Sequence, residues 1–339
     1  MNKSDLYHAL IEPIPYNAIN DYRANLRLAL KRYLSLVKQL DDGNQPKDFS
    51  SILSIIHKSI KKINQIALNS YKGLPSTAGK QLSNLMKDYG NCLLYKEITT
   101  GTRFYRMRTI ADRRNNILHT EMFHIPLNMR RKISAQRFST PGYPCLYMGM
   151  SAYTCWEEMG RPRMSDCWVS CLKSMKPITL LDLRVPTIED FNKNIENYLV
   201  LFPLIISSML PIENTLDIYK PEYIIPQLLT EWIIKNKKDG IYYTSVHKDS
   251  GFDFPEDKYY NIAMPVQDPL QNNVYCKILS SYFQITTPIN NEIETLKNGQ
   301  SIDCGTYDND EYEQKKVNYR CSEFGKIEDW LRLEKFQVL

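Results

Sequence analysis

The sequence predicts an α+β fold: a mixed β-sheet domain with a helical region ahead of it. Three observations carry this. The first hundred residues place apolar side chains at three- and four-residue spacing, the pattern of amphipathic helices. From about residue 102 the pattern changes to short apolar runs bounded by Gly, Pro and Asn, with a few helical stretches between them. Charged residues make up 24% and hydrophobic residues 43% of 339, the balance of a folded globular chain with a sizeable core.

In NAINDYRANLRLALKRYLSLVKQL, Leu26, Leu30, Tyr33, Leu34, Val37 and Leu40 form one helical stripe, and DDGNQP ends it. A second stripe of Ile52, Ile56, Ile60, Ile63 and Ala67 starts from Ser50 or Ser51 as N-cap and closes near Gly73 and Pro75. The two stripes can face each other as a helical hairpin. Lys58, Lys61 and Lys62 fit a solvated helix face better than a surface for an anionic partner. The expected strands are RFYRMR, PCLYMG, CWVSCL, ITLLDL, GIYYTSV, YYNIAMP and the run VYCKILSSYFQI. Between them lie a helix headed by Ser151 and another starting near Pro226 and ending before Asp239-Gly240. YLVLFPLIISSMLP at 198–211 is interrupted by Pro203 and is shorter than the roughly 20 residues of a membrane span, so it reads as buried core. The polar segment 295–320 reads as a surface connection to a last amphipathic helix around EFGKIEDWLRLE, docked by Trp330 and Leu331. These breaks divide the chain into a helical region 1–100, a domain 101–290 and a tail 291–339.

Lys plus Arg exceed Asp plus Glu by 43 to 38, a net charge of +5, too small and too dispersed to indicate direct nucleic-acid binding. The eight cysteines contain no CxxC pair, and MNKSDLYHALIEPIP lacks the apolar core of a signal peptide. Reduced thiols, a cytoplasmic location and no membrane span are expected. None of the five histidines stands four residues from another, so no metal site is expected.

Residues 134–158, SAQRFSTPGYPCLYMGMSAYTCWEE, concentrate the polar chemistry. Thr140-Pro141-Gly142-Tyr143 predicts a type II turn, because Pro pre-sets its φ and Gly supplies φ > 0. A strand follows, then a helix capped by Ser151. On that helix Ser151, Thr154 or Cys155, and Glu158 share a face, while Ala152, Trp156 and Met159 lean toward the core. Glu157 is expected to face solvent or to pair with Arg161 or Arg163, and an exchange of roles between the two glutamates stays open. An arginine such as Arg137 suits a diphosphate through its planar fork of donors. A tyrosine such as Tyr147 offers a ring for stacking, and a carboxylate near a ribose stabilises positive charge developing at the anomeric carbon. The set fits a nucleotide whose glycosidic bond is broken. It also fits a structural Arg137–Glu158 ion pair with Tyr147 in the core and Ser151 acting only as a cap.

The stretch from FYRMR (104–108) through QRFSTPGYPCLYMGMSAYTCWEEM (136–159) to DGIYYTSV (239–246) resembles the RES domain, named for its arginine, glutamate and serine. The resemblance covers roughly residues 102–290. It implies an ADP-ribosyltransferase-like fold and a toxin that consumes NAD by hydrolysis or phosphorolysis, or that ADP-ribosylates a target protein. A non-catalytic NAD-binding interaction module is a further alternative. Position by position, the resemblance assigns Arg106 to the early-strand arginine, Arg137 to the arginine before the turn, and Tyr147 to the Leu-Tyr pair. It assigns Glu158 to the helix glutamate, eleven residues after the tyrosine, and Ser245 to the late serine. Glu158, Arg137, Tyr147 and Ser245 are thus the expected catalytic set. Arg106, Arg137, Ser139, Tyr147 and Ser151 are expected to bind NAD, with no metal. One departure stands out: the family pattern Arg-Trp-Asn is here Arg137-Phe138-Ser139, without the asparagine amide. The resemblance also implies a helix-turn-helix antitoxin as partner, as for the small RES toxins. In this longer chain the sequence leaves open such a partner, self-inhibition by the helical region 1–100, and a helical hairpin that adds only stability.

Overall fold

The computed structural model describes residues 1–14, 17, 21–110, 117–214, 216–245, 252–253, 259–269, 274–290 and 317–339. The chain opens with four helices, α1 Lys3–Ile11, α2 Tyr22–Val37, α3 Phe49–Tyr71 and α4 Pro75–Tyr89. Then come β1 Tyr95–Ile98, β2 Arg103–Thr109, β3 Cys145–Gly149, α5 Ala152–Glu158, β4 Cys167–Ser174 and β5 Ile178–Leu183. Three helices follow, α6 Ile188–Lys193, α7 Ile195–Ser208 and α8 Ile224–Lys235. Next are β6 Gly240–Thr244, β7 Phe252–Asp253, β8 Tyr260–Pro265, α9 Lys277–Ser280, β9 Phe283–Thr286 and β10 Ile289–Asn290. The C-terminal segment holds β11 Val317–Asn318, α10 Glu323–Leu333 and β12 Phe336–Val338. Among the described residues the strands form a ten-stranded mixed sheet in the order β1-β5-β6-β8-β3-β2-β4-β9-β12, with β10 also on β4, and β7 and β11 form a separate short ladder. The α+β class and the N-terminal helical region read from the sequence are those of the protein.

The chain separates into two compact units. The first comprises Met1–Lys96, Arg131–Tyr143 and Leu180–Ile241. Here α3 packs on α2, α4 and α7. The buried faces of α2 and α3 are the stripes seen in the sequence, with Leu34 and Ile60 at their half-buried margins. Tyr33 stacks on Phe202 with ring centroids 5.8 Å apart. The apolar run at 198–211 supplies most of α7, whose residues are buried nearly all round, as expected of a central helix. Among the described residues no helix is long and apolar enough to cross a membrane. Two details differ from the sequence reading. Asp48, not a serine, occupies the N-cap position of α3. The helix α4 follows, with Pro75 at its first turn and Ala78, Leu82, Leu85, Met86 and Tyr89 buried at helical spacing.

The second unit comprises Glu97–Arg130, Pro144–Thr179 and Tyr242–Leu339. β2 is paired with β4 along its whole length, from Arg103↔Lys173 to Thr109↔Cys167, but touches β3 at the single pair Tyr105↔Gly149. β3 instead pairs with β8 from Cys145↔Pro265 to Gly149↔Asn261. The sheet therefore opens between β2 and β3 beyond Tyr105. Tyr105 and Met107 of β2 and Cys167, Val169 and Cys171 of β4 form one core with Tyr153 and Cys155 of α5 and with Phe324, Ile327 and Leu331 of α10. Trp330 packs on the edge of this core, so the docking expected of Trp330 and Leu331 holds. The run VYCKILSSYFQI is not one strand: its first half closes into α9 and its last residues form β9. An apolar run this short has no period that separates the two states. The expected surface connection 295–320 lies outside the described residues as far as 316.

Candidate functional site

The turn and helix at the centre of the sequence argument form as expected. Tyr143 N–H donates to Thr140 O at 3.0 Å, and Gly142 adopts φ +78°, as a type II turn requires. Ser151 is the N-cap of α5: its Oγ accepts from Thr154 N–H at 3.1 Å and is also hydrogen-bonded to the Thr154 hydroxyl at 2.8 Å. Its side chain is wholly buried. Gly149, just before the cap, has no room for a side chain, because a Cβ there would lie 2.9 Å from Cys155 Sγ and 3.0 Å from Ser151 O. The Cys155 thiol donates to Tyr105 O at 3.1 Å, tying α5 to β2. Burial pushes the Cys155 thiol up to about 12, so it stays protonated at neutral pH.

The two glutamates at the end of α5 differ sharply. Glu157 is 2% exposed, and both of its carboxylate oxygens accept from Arg161 Nε, at 3.1 and 3.0 Å. The sequence left it facing solvent or pairing with Arg161 or Arg163. It pairs with Arg161 and is buried, because Arg161 folds back over Trp156 in a left-handed conformation, φ 57°, after the Gly160 end of the helix. Glu158 is exposed, and its Oε1 is fixed from two sides. Ser245 Oγ donates to it at 2.7 Å and Asn261 Nδ2 at 2.9 Å, both from buried residues on neighbouring strand segments. Among the described residues Glu158 Oε2 has no hydrogen-bond partner. Among the described residues one oxygen is thus anchored and the other is not.

Arg106 extends from β2 into the opening beside β3, where Nη1 donates to Tyr147 O at 2.6 Å. Its Nε is buried and has no hydrogen-bond partner among the described residues. Burial, aided by the neighbouring Arg108 guanidinium, lowers Arg106 to about 9, so it remains charged at neutral pH, and it forms no ion pair among the described residues. Arg108 is likewise lowered by burial and donates to Phe123 O at 2.8 Å. A half-buried cation without a carboxylate is costly unless an anion joins it. Nearby His124 is buried. Its Nδ1–H donates to Ile125 O at 2.8 Å and its Nε2 accepts from Cys276 N–H at 2.9 Å, which fixes the neutral tautomer. Burial lowers its pKa to about 4.

Arg137 and Ser139 lie in the first unit. Arg137 Nη1 donates to Ser208 O at 2.9 Å and to Leu210 O at 3.2 Å at the C-terminal end of α7, and its guanidinium lies 5.3 Å from the Tyr223 ring centroid. Cations suit that helix end. Ser139 is buried and its hydroxyl donates to Tyr143 O. The second unit thus brings Arg106 to Tyr147, and Glu158 to Ser245. Asn261 is the member that sequence reasoning missed. Its signal was a lone amide inside the otherwise apolar strand YNIAMP, opposite a glycine.

A family model described as the RES domain matches residues 103–269. YopC of Bacillus subtilis (strain 168), a protein that its name proposes as a toxin, is 30% identical over 302 residues, which cover 82% of this chain and 67% of the relative. The chain belongs to the RES domain family. No solved structure gives a significant match. The RES match begins at β2 and ends shortly after β8, so it contains Arg106, Arg137, Ser139, Tyr147, Ser151, Glu158, Ser245 and Asn261. It leaves out the four helices α1–α4 and everything from α9 onward.

Proposed function

We propose that this RES domain protein is a toxin that binds NAD and breaks the bond between nicotinamide and its ribose. The observation that carries the reading is the state of Glu158, anchored through Oε1 by Ser245 and Asn261, with Oε2 open among the described residues. A carboxylate held in this way is suited to a ribose whose anomeric carbon becomes positive. It stabilises charge in the transition state without reorganising. The C1′–N bond breaks with its electron pair leaving on the nicotinamide nitrogen. Water or phosphate then attacks C1′ and gives up a proton to solvent or buffer.

The donor set also suits the rest of the molecule. Arg106 offers a charged guanidinium with a buried, unpartnered Nε for a diphosphate oxygen, and Tyr147 on the adjoining strand offers a ring. Transfer of ADP-ribose to a protein acceptor would use the same carboxylate, and the exposure of Glu158 leaves room for an acceptor. Restraint by a helix-turn-helix antitoxin belongs with this toxin reading. Incubation of the full chain with NAD labelled in the adenylate half separates the routes. Free ADP-ribose indicates hydrolysis, ADP-ribose phosphate formed only in phosphate buffer indicates phosphorolysis, and label retained on protein indicates transfer. Unchanged NAD with a folded chain, in the presence of phosphate and of cell extract, would count against the reading.

A further inference from the structure

The RES match ends at residue 269, yet the helix that carries Glu158 is held at its start by side chains well beyond that point. α5 has 7 residues, fewer than the about 12–15 at which an isolated helix becomes even marginally stable. Its geometry must come from its surroundings. The first N–H groups of a helix have no intrahelical acceptor, and here the first three are each met by a side chain. Ala152 N–H donates to Glu328 Oε1 at 2.9 Å. Tyr153 N–H bonds to the Tyr319 hydroxyl, which itself donates to Glu328 Oε1 at 2.5 Å. Thr154 N–H is capped by Ser151.

Two of the three caps therefore come from the C-terminal segment. Glu328 is 2% exposed, and its carboxylate sits where the helix dipole favours negative charge. The same segment packs along the helix: the Phe324 ring lies 5.2 Å from Tyr153 and 5.3 Å from Trp156. Within that segment Gly325 lets α10 close onto the turn before it, since a Cβ there would lie 2.4 Å from Tyr319 O. β12 then adds to the sheet beside β9.

We propose that Glu328 and Tyr319 are positioning residues for Glu158, acting through the N-terminus of α5, so that the C-terminal segment is a working part of the catalytic unit. The inference rests on the reading of Glu158 as the catalytic carboxylate, and its test has one arm that does not. Amide hydrogen exchange of α5 is compared in the full-length wild type, Glu328→Ala, Glu328→Gln and Tyr319→Phe, together with kcat and KM for nicotinamide release. Loss of the buried cap in Glu328→Ala is expected to speed exchange in α5 about tenfold while β2 and β4 keep wild-type rates. A displaced Glu158 should lower kcat about 10–100-fold with KM little changed. Glu328→Gln keeps an acceptor oxygen and should restore most of both. Tyr319→Phe removes one hydroxyl, keeps the ring, and serves where Glu328→Ala does not fold. Its α5 exchange should be faster than wild type. Wild-type exchange in α5 of folded Glu328→Ala or Tyr319→Phe would overturn the proposal, whatever happens to NAD. Faster exchange in variants of a protein that never releases nicotinamide would uphold the capping and reject the NAD reading alone.

Discussion

Removing the anchors of Glu158 one at a time gives a graded test of the site. Oε1 accepts two charge-assisted hydrogen bonds, from Ser245 at 2.7 Å and from Asn261 at 2.9 Å. Such bonds contribute about 1.5–3 kcal/mol when buried, and the exposure of Glu158 places each near the lower end. A loss of about 1.5 kcal/mol from the transition state lowers kcat about tenfold, so Asn261→Ala and Ser245→Ala should each fall by about that factor. Both donors hold the same oxygen, so either one alone still restrains the carboxylate. The double variant should therefore fall by more than the product of the singles, beyond about a hundredfold. KM for NAD should change little in all three, because in the proposed mechanism the carboxylate acts on the bond being broken more than on the bound ground state. The assay is initial-rate nicotinamide release at saturating NAD. Singles within about twofold of wild type, alongside an inactive Glu158→Gln, would show that the anchoring of Oε1 is not what makes Glu158 effective.

Three further outcomes follow from the packing around the site. His124 is buried and neutral, with its pKa lowered to about 4 from an ordinary 6.5, so the unfolded chain binds a proton that the folded one refuses. Its contribution to stability is present above pH 6.5, is lost as pH falls toward 4, and amounts to at most ~3 kcal/mol. The difference between wild type and His124→Gln in urea midpoint should therefore change between pH 7 and pH 4.5, and a constant difference would contradict it. Gly149→Ala puts a Cβ 2.9 Å from Cys155 Sγ and 3.0 Å from the Ser151 carbonyl, so α5 must shift; a stability loss of ~1–3 kcal/mol and a lower kcat are expected, and unchanged kcat would count against it. Gly325→Ala meets backbone at 2.4 to 2.8 Å, which cannot yield by side-chain rotation, so its thermal midpoint should fall further than that of Gly149→Ala.

The elements whose signal is local were legible in the sequence. The Pro-Gly turn, the Ser151 cap and the strand between them depend on neighbours within a few residues, and they form as read. Glu158 was favoured over Glu157 by its helical face and by the interval that the family resemblance carries. In the structure Glu157 is buried and paired with Arg161, while Glu158 is exposed and, among the described residues, has one oxygen without a hydrogen bond. Asn261 was not legible, because its partner lies 103 positions away and a single amide in an apolar strand does not announce what it bonds. The capping of α5 by Glu328, 176 positions from Ala152, was hidden for the same reason. Gly73 and Pro75 mark a break in the sequence pattern, and in the structure that break is a turn between helices, with Gly73 at φ 76° and α4 beginning at Pro75.

The most direct test of the central claim is nicotinamide release from NAD by the purified full-length protein, with Glu158→Gln measured beside it. Release by the wild type, reduced at least about a hundredfold in a folded Glu158→Gln that still binds NAD, is the result expected of a carboxylate that acts on the transition state. Equal release by the two proteins would remove Glu158 from the chemistry and contradict the account.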